Sequence, residues 1–523
     1  MGSVFFGPRL FLLSGRRGGI DLSTGQGLPF TADSMIMLSA RRGKTPHMPR
    51  TRDRQFDFAD LAFRQQGVEL DPILQTISDF LDDHDELIEQ VRQDLERGLK
   101  NPNTGRNGLT PSQVLRSFLL RRIKNWEYRE LQERITDGYT LRQFTDFYSE
   151  PVPTHDAFHR AFRRLTPQTL EAINQLVIRA AVELGIEDGS KLRVDTTVVD
   201  TNIHHPTDSR LLWDSVRVLT RLGQRLAETV SVPRPTFPNH TRAARRRMQA
   251  IERMSAKQRQ QQQVPKYREL LRITEEVVES ARHLLEQTQN ARGLSPQHDM
   301  AIAGLRQQIE QYCQLADKVV QQTRRRVMER ETVPASEKIF SIFEPHTDMI
   351  KRGKVNQPVE FGHKVFLAES QQGLITHYEI LEGNPNDQEH VVPSLAHHQE
   401  LFGHAPQCYG ADRGFASAEN ERACQQAGVA VIAIPQCGGQ KTPERAAHEK
   451  SVPFKNGQRF RAGIEGRISV LFRGRGMKRC LDRGRERFEL LVGAAVLANN
   501  LLRLATLLRE AKRSRHRTNK AAS

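Results

Sequence analysis

No two cysteines stand at the C-x-x-C spacing of a zinc ribbon or a redox pair, and only five, Cys313, Cys408, Cys424, Cys437 and Cys480, occur among 523 residues. An odd number at irregular spacing cannot close into a disulfide framework, so the thiols read as reduced and the compartment as cytosolic. Long apolar runs are missing too. The longest, Leu490 to Ala498, stops at Asn499-Asn500, well short of the ~20 residues that span a bilayer, and no membrane partner is expected. Apolar patches at Val4–Phe6 and Leu10–Leu13 are interrupted by Pro8, Arg9 and Arg16-Arg17, which removes a signal-peptide layout. Residues 1–50 therefore read as a disordered leader or, if Met48 is the start, largely as an upstream extension. No GKS or GKT follows Gly438-Gly439, which excludes a Walker-type phosphate loop. No GxSxG text occurs, which leaves no serine-nucleophile reading. His204-His205 and His397-His398 lack a second ligand pair at zinc spacing.

What the chain has is positive charge, with 78 lysines and arginines against 62 acids and a net +16 spread along most of its length. That favours a polyanionic partner, although charge alone names no chemistry. Periodicity then divides the chain. From Phe56 to Gly185 apolar residues recur at helical intervals, as in Leu74, Ile77, Phe80, Leu81 and Ile88, Val91, Leu95. Thr110-Pro111 opens a helix through Leu115, Phe118, Leu119 and Ile123, with Arg116, Arg121, Arg122 and Lys124 between them. Short arginine-rich helices over 51–185 suit a helix-turn-helix-like DNA-binding domain, and equally a plain bundle with a basic outer face.

At Lys191 the period becomes two, since Leu192, Val194, Thr196 and Val198 alternate with Arg193, Asp195 and Thr197; Asp195 falls on the polar face of a half-buried strand. Residues 206–335 return to helix. Within them Ile302, Leu305, Ile309, Tyr312, Ala316 and Val319 form a coiled-coil-like seam. It is too narrow for a core of its own and needs a cover, either Tyr267–Leu285 of the same chain or a second protomer. Strand text resumes at Lys338–Phe343, Phe361–Ala368 and Leu374–Leu381. A helix follows over Asp387–Leu401, then a strand from Pro406 ending at Asp412, a helix Ala416–Ala427 and a strand Val429–Pro435. A basic Gly/Pro loop spans Gln436–Arg459. Beyond it lie a helix carrying Glu465, a last helix over 485–511 and a basic tail at 512–523. With 206–335 set aside as an insertion, this is the element order of an RNase H-like mixed sheet flanked by helices, in 186–205 and 336–484, behind an N-terminal all-α domain.

Several short motifs follow one another in order: Val194-Asp195-Thr196-Thr197, Phe361-Gly362-His363-Lys364, Gly383-Asn384 with Asp387, Tyr409-Gly410-Ala411-Asp412-Arg413-Gly414-Phe415, Arg461 with Glu465, and Asn499-Asn500-Leu501. In these, over residues 50–511, the chain resembles insertion-sequence transposases of the DDE type and is most similar to the ISNCY family. The resemblance implies an α/β enzyme that cuts double-stranded DNA at the terminal inverted repeats of an element and joins the ends to target DNA. It implies two Mg²⁺ or Mn²⁺ ions on Asp195, Asp412 and Glu465. Holding two ends together gives a homodimer on DNA a use.

Chemistry gives an independent reason for three carboxylates. Cutting a phosphodiester needs an activated water or hydroxyl and a stabilised leaving oxygen, which two divalent ions ~3.5–4 Å apart supply together. Such hard ions take oxygen ligands. Arg461 stands one helical turn before Glu465. Arg413, Arg461, Arg473, Arg475 and Lys478, with Arg479, read as phosphate contacts. Relatives carry a tyrosine three positions before the arginine and a lysine seven after the glutamate; here these are Gln458 and Phe472. A nuclease that cuts without joining and a regulator with idle carboxylates are the alternatives.

Overall fold

The computed structural model describes residues 49–50, 58–64, 68–101, 106–230, 235–351 and 359–522; the leader before Pro49, with Met48, lies outside them. Eight helices come first: α1 (Phe58–Arg64), α2 (Pro72–Asp82), α3 (Asp85–Glu96), α4 (Pro111–Lys124), α5 (Tyr128–Asp137), α6 (Tyr139–Phe144), α7 (His155–Phe162) and α8 (Pro167–Glu183). Three of their starts are written into the chain. Asp71, Thr110 and Thr166 each cap backbone N–H groups, and each is followed by a proline whose missing N–H would have gone unpaired there anyway. A two-residue parallel ladder joins Pro49–Arg50 to Arg106–Asn107.

The mixed α/β body is built on a six-stranded sheet. Its strands are β1 (Lys191–Asp200), β2 (Asp348–Lys351), β3 (Val359–Ser370), β4 (Ile375–Ile380), β5 (Cys408–Gly410) and β6 (Val431–Ala433), in the order β2-β3-β1-β5-β6 with β4 also paired to β3. β3 runs antiparallel to β1 from Leu192↔Ser370 to Asp200↔Gly362, whereas β5 and β6 are parallel to it. The connecting helices are α9 (Asp208–Thr229), α10 (Thr241–Glu252), α11 (Ala256–Gln287), α12 (Pro296–Thr323), α13 (Val391–Phe402), α14 (Ala418–Gln426), α15 (Pro443–Lys450), α16 (Val452–Gly474) and α17 (Arg485–Ala522). β1 is buried on both faces, not one. α13 and α14 cover the side of Leu192 and Val194, and α16 and α17 the side of Val199.

The seam of α12 closes inside the chain. Ile302, Leu305, Ile309, Ala316 and Val319 are buried with Leu270, Val277 and Ala281 of α11 and with Leu212, Val216, Leu219 and Leu226 of α9. The apolar stripe of α9 supplies the third face that makes a core out of a narrow seam. Lys338–Phe343 is no strand: Gln322 takes both the N–H and the carbonyl of Ile339, the bonds a neighbouring strand would otherwise have made. Gln436–Arg459 is not all loop either, because Thr442 and Ser451 cap α15 and α16 ahead of Pro443 and Pro453.

α17 explains the apolar run near Leu490. Arg485–Ser514 is long and apolar enough to cross a membrane, yet 83% of its most apolar window is buried inside the protein. Leu490, Ala494, Leu497 and Leu501 close the core of Leu74, Ile77, Leu115, Leu119 and Leu170. Phe488, Val492, Ala495 and Val496 pack under the sheet on Val365, Leu367 and Ile375. The N-terminal helices and the sheet thus share a helix. Asn500 fixes the junction by bonding both the N–H and the carbonyl of Ile375 and reaching Asn174. The 512–523 stretch continues α17 to Ala522. All five cysteines are free thiols.

Two histidines tie this fold to pH. His398, buried in α13, donates its Nε2–H to the Gly189 carbonyl at 2.9 Å, and burial holds its imidazole down at about 4. His377 on β4 is held at about 4 by the same cause, with the neighbouring His397 adding to it. Both rings are neutral in the folded protein but take a proton near pH ~6.5 once unfolded. The unfolded chain therefore binds more protons between the two values, so stability falls as pH drops from about 6.5 towards 4. His398→Gln keeps an N–H donor and should remove roughly 2 kcal/mol of that fall. Urea unfolding at pH 7 and pH ~4.5 measures it; an identical acid loss in the variant would contradict the assignment.

Candidate active site

Each acid of the site comes from a different element. Asp195 lies midway along β1, its Oδ1 taking the Thr196 N–H at 2.8 Å. Two residues past β5, Asp412 caps a short 3₁₀ turn, with Oδ1 accepting from Gly414 N at 2.8 Å. Glu465 stands on α16. That helix can approach the sheet because Gly457 faces it: a Cβ there would fall 2.5 Å from Ala433 Cβ and 3.2 Å from Cys408 Sγ. Gly410 does the same from the strand side, where a Cβ would lie 3.2 Å from Arg461 Cβ.

The close crossing brings Arg461 over the middle of β1 and the end of β5. Its Nη2 lies 3.1 Å from Asp195 Oδ2 and 3.6 Å from Asp412 Oδ2, and its Nη1 lies 3.1 Å from Glu465 Oε1. Three acids separated widely in sequence therefore meet on one guanidinium. Their side-chain exposures are 11%, 38% and 68%, so Asp195 is the most enclosed of the three and Glu465 the most open. Among the described residues no three His, Cys, Asp or Glu side chains stand close enough to hold a metal ion as they are. The guanidinium occupies the space between these three. The donor set itself, carboxylate oxygens, fits a hard divalent ion.

Beneath the site a buried charge network holds α16 to the sheet. Glu369 of β3, with a fully buried side chain, accepts from Arg193 Nε at 2.7 Å and Arg467 Nε at 2.8 Å. Arg193 also donates to the Phe460 carbonyl, and Arg467 to Asn499 Oδ1. From the opposite face Asp387, at the start of a 3₁₀ turn leading into α13, accepts from Thr196 Oγ1 at 2.9 Å and pairs with Lys364 Nζ at 2.8 Å. A Cβ on Gly414 would sit 3.1 Å from Asp387 Oδ2 and 3.0 Å from Asp412 Oδ1, so the two carboxylates flank one turn. The sequence motifs include Asp387 and Lys364 but assign them no part; neither shows its partner by spacing.

The basic residues separate into two groups. Arg413 and Arg473 are exposed, the latter tied to Ser469 Oγ. Lys478 lies 3.4 Å from Asp200 and 3.9 Å from Glu360, with Phe472 beneath its ammonium. Arg475 points inward. It donates to the carbonyls of Ile123 and Gly474, and burial pulls its pKa below the ordinary value, so it joins the end of α16 to α4. Arg479 donates to the carbonyls of Thr201 and Ile203. Gln458 braces the end of β5 through the Ala411 carbonyl at 3.1 Å.

Gly457→Val is expected to push α16 off the sheet, destabilising the fold by about 1–3 kcal/mol and lowering activity further by separating Arg461 and Glu465 from Asp195. Thermal unfolding and activity together test this; wild-type values for both would show that the crossing has slack.

Residues 65–164, from just after α1 to just past α7, match the family model described as "Transposase domain (DUF772)". No curated protein and no solved structure matches the chain. The match supports a transposase; it lies wholly within the N-terminal helices and does not include Asp195, Asp412 or Glu465.

Proposed function

We propose that the chain is a DDE transposase on an RNase H-like fold, which cuts DNA at the ends of an insertion sequence and joins those ends to a target. The observation carrying this is the meeting of Asp195, Asp412 and Glu465 at Arg461. The transposase-domain match and a six-stranded sheet in which β3 pairs antiparallel with β1, β2 and β4, and β5 and β6 follow parallel to β1, support it from other directions. Asp195, Asp412 and Glu465 would hold two Mg²⁺ or Mn²⁺ ions, which supply an activated nucleophile and a stabilised leaving oxygen when bound.

The chain's own residues set the frame for that chemistry. Thr196 N–H fixes the orientation of Asp195, and the Gly414 N–H that of Asp412. Arg461 gathers the three carboxylates in the free protein and offsets one of their three negative charges, and it stays within reach of a phosphate brought among them. Exposed Arg413 and Arg473 extend positive charge along the surface towards the strand. Double-stranded element ends and target DNA are the partners in this reading, with two copies of the chain holding two ends.

The test is a linear DNA carrying the sequences that flank the gene, incubated with the purified protein in Mg²⁺ or in EDTA. Cut and joined products that appear only with the metal are the expected result. Cut ends that are never joined would favour a nuclease, and tight binding without cutting a regulator.

A further inference from the structure

A cavity of about 300 Å³ lies where the N-terminal helices meet the connection from α16 into α17. Five arginines, Arg121, Arg122, Arg163, Arg483 and Arg487, line it against a single acid, Asp482. Its floor is apolar, formed in part by Tyr128, Phe162 and Leu490. The positive charge is only partly relieved within the protein, since Arg121 and Arg487 meet Glu127 and Glu486 at no closer than 4.0 and 3.9 Å. Arg121 Nε and Arg487 Nη1 are buried without a hydrogen-bond partner. Arg121 lies over the Tyr128 ring at 4.0 Å. Arg122 is pushed down to about 10 by burial and then by the neighbouring Arg121 charge. Among the described residues the exposed side chains of Arg163 and Arg483 make no hydrogen bond and no ion pair.

Guanidinium groups crowded beside an apolar wall favour an anion with an apolar part. Planar N–H forks match phosphate oxygens, and an anion among them would relieve the repulsion of the empty pocket. The volume has room for one phosphate ester with its sugar, so the backbone of a strand can enter while its paired bases stay outside. We propose that this cavity is a phosphate site that takes one phosphate ester of a nucleic-acid strand. The proposal rests on the transposase reading for the source of that strand, and it adds a contact remote from the carboxylates. Arg122 donates to the Arg475 carbonyl just past the end of α16, fourteen positions after Arg461. At ~1.5 Å per residue the cavity lies about 20 Å along the helix from Arg461. A phosphate held there would set the strand's register about six base pairs from the cut, at ~3.4 Å per step.

The experiment measures binding of a labelled duplex across a range of salt, and separately the binding of deoxyadenosine monophosphate by calorimetry. The full-length protein is compared with R163Q/R483Q and the charge-keeping R163K/R483K. Both positions are exposed, so folding is checked by circular dichroism rather than assumed lost. The glutamine pair is expected to weaken duplex binding roughly five- to tenfold at ~0.1 M salt and to lower the salt slope by about one, with the lysine pair recovering most of both. Loss of mononucleotide binding with unchanged duplex binding would overturn the proposal as stated, since the cavity would then take a free nucleotide and not a nucleic-acid strand. No response of either probe to the glutamine pair overturns the proposal. A wild-type protein that binds no duplex at all would refute the transposase reading instead, while the mononucleotide still decides the cavity.

Discussion

Asp195→Asn and Asp412→Asn are each expected to lower strand cleavage by at least about a hundredfold, the scale on which removing one electrostatic stabiliser of a transition state acts. The amide keeps the shape of the carboxylate but not the charge that draws a divalent cation. Binding of element ends should stay close to wild type if, as proposed, the phosphates are met by arginines and not by these acids. The two variants should differ in stability. Asp195 has a side chain only 11% exposed and lies 3.1 Å from Arg461, whereas Asp412 is 38% exposed at 3.6 Å, so Asp195→Asn removes the better-shielded pair. Cleavage at saturating DNA, beside a mobility-shift titration, separates chemistry from binding. Near-wild-type turnover in either variant would end the assignment of that residue.

Glu369→Ala should be the most destabilising single change in the catalytic region, by about 3–5 kcal/mol. The side chain is fully buried and answers two guanidinium groups, Arg193 and Arg467. Truncating it leaves both cations enclosed without a counter-charge, which costs far more than the net worth of the pair itself. Glu369→Gln keeps one acceptor oxygen and should lose less. The two arginines join β1 to α16, so activity should fall even at temperatures where the variant remains folded. Urea unfolding gives the stability difference, and a loss below about 1 kcal/mol for Glu369→Ala would mean that the arginines find other partners or reach solvent.

Local pattern made part of the site readable. The change of period at Lys191 marks a strand and sets Asp195 opposite Val194 and Thr196; Asp412 follows a short apolar stretch ending in Gly410; Arg461 and Glu465 are one turn apart on a helix. These features act over a few residues, where sequence is a good witness. Glu369 is different. Its partners are 176 and 98 residues away, and an acid within strand text reads as solvent-facing unless a second layer is known to cover it. The same absence made β1 look half-buried. Prolines misled at Gln436–Arg459 because Pro443 and Pro453 begin helices instead of breaking them. Gln322, replacing a strand partner for Ile339, left no periodic mark at all.

The shared helix α17 imposes an order on biogenesis. The faces of Leu74, Ile77, Leu115, Leu119 and Leu170 are complete only when Leu490, Ala494, Leu497 and Leu501 arrive against them. Between the emergence of α8 and that of α17 lie some three hundred residues, which at ~5–20 residues per second keeps those apolar surfaces waiting for roughly 15–60 s on every nascent chain. Over that interval the growing polypeptide lacks the helix that covers this face, and a chain truncated before α17 would never gain it. A fragment limited to the N-terminal helices should aggregate, and should be rescued by a separately supplied peptide spanning 485–511. The region that matches a transposase domain would, transplanted without its distant helix, lack part of the surface against which it packs.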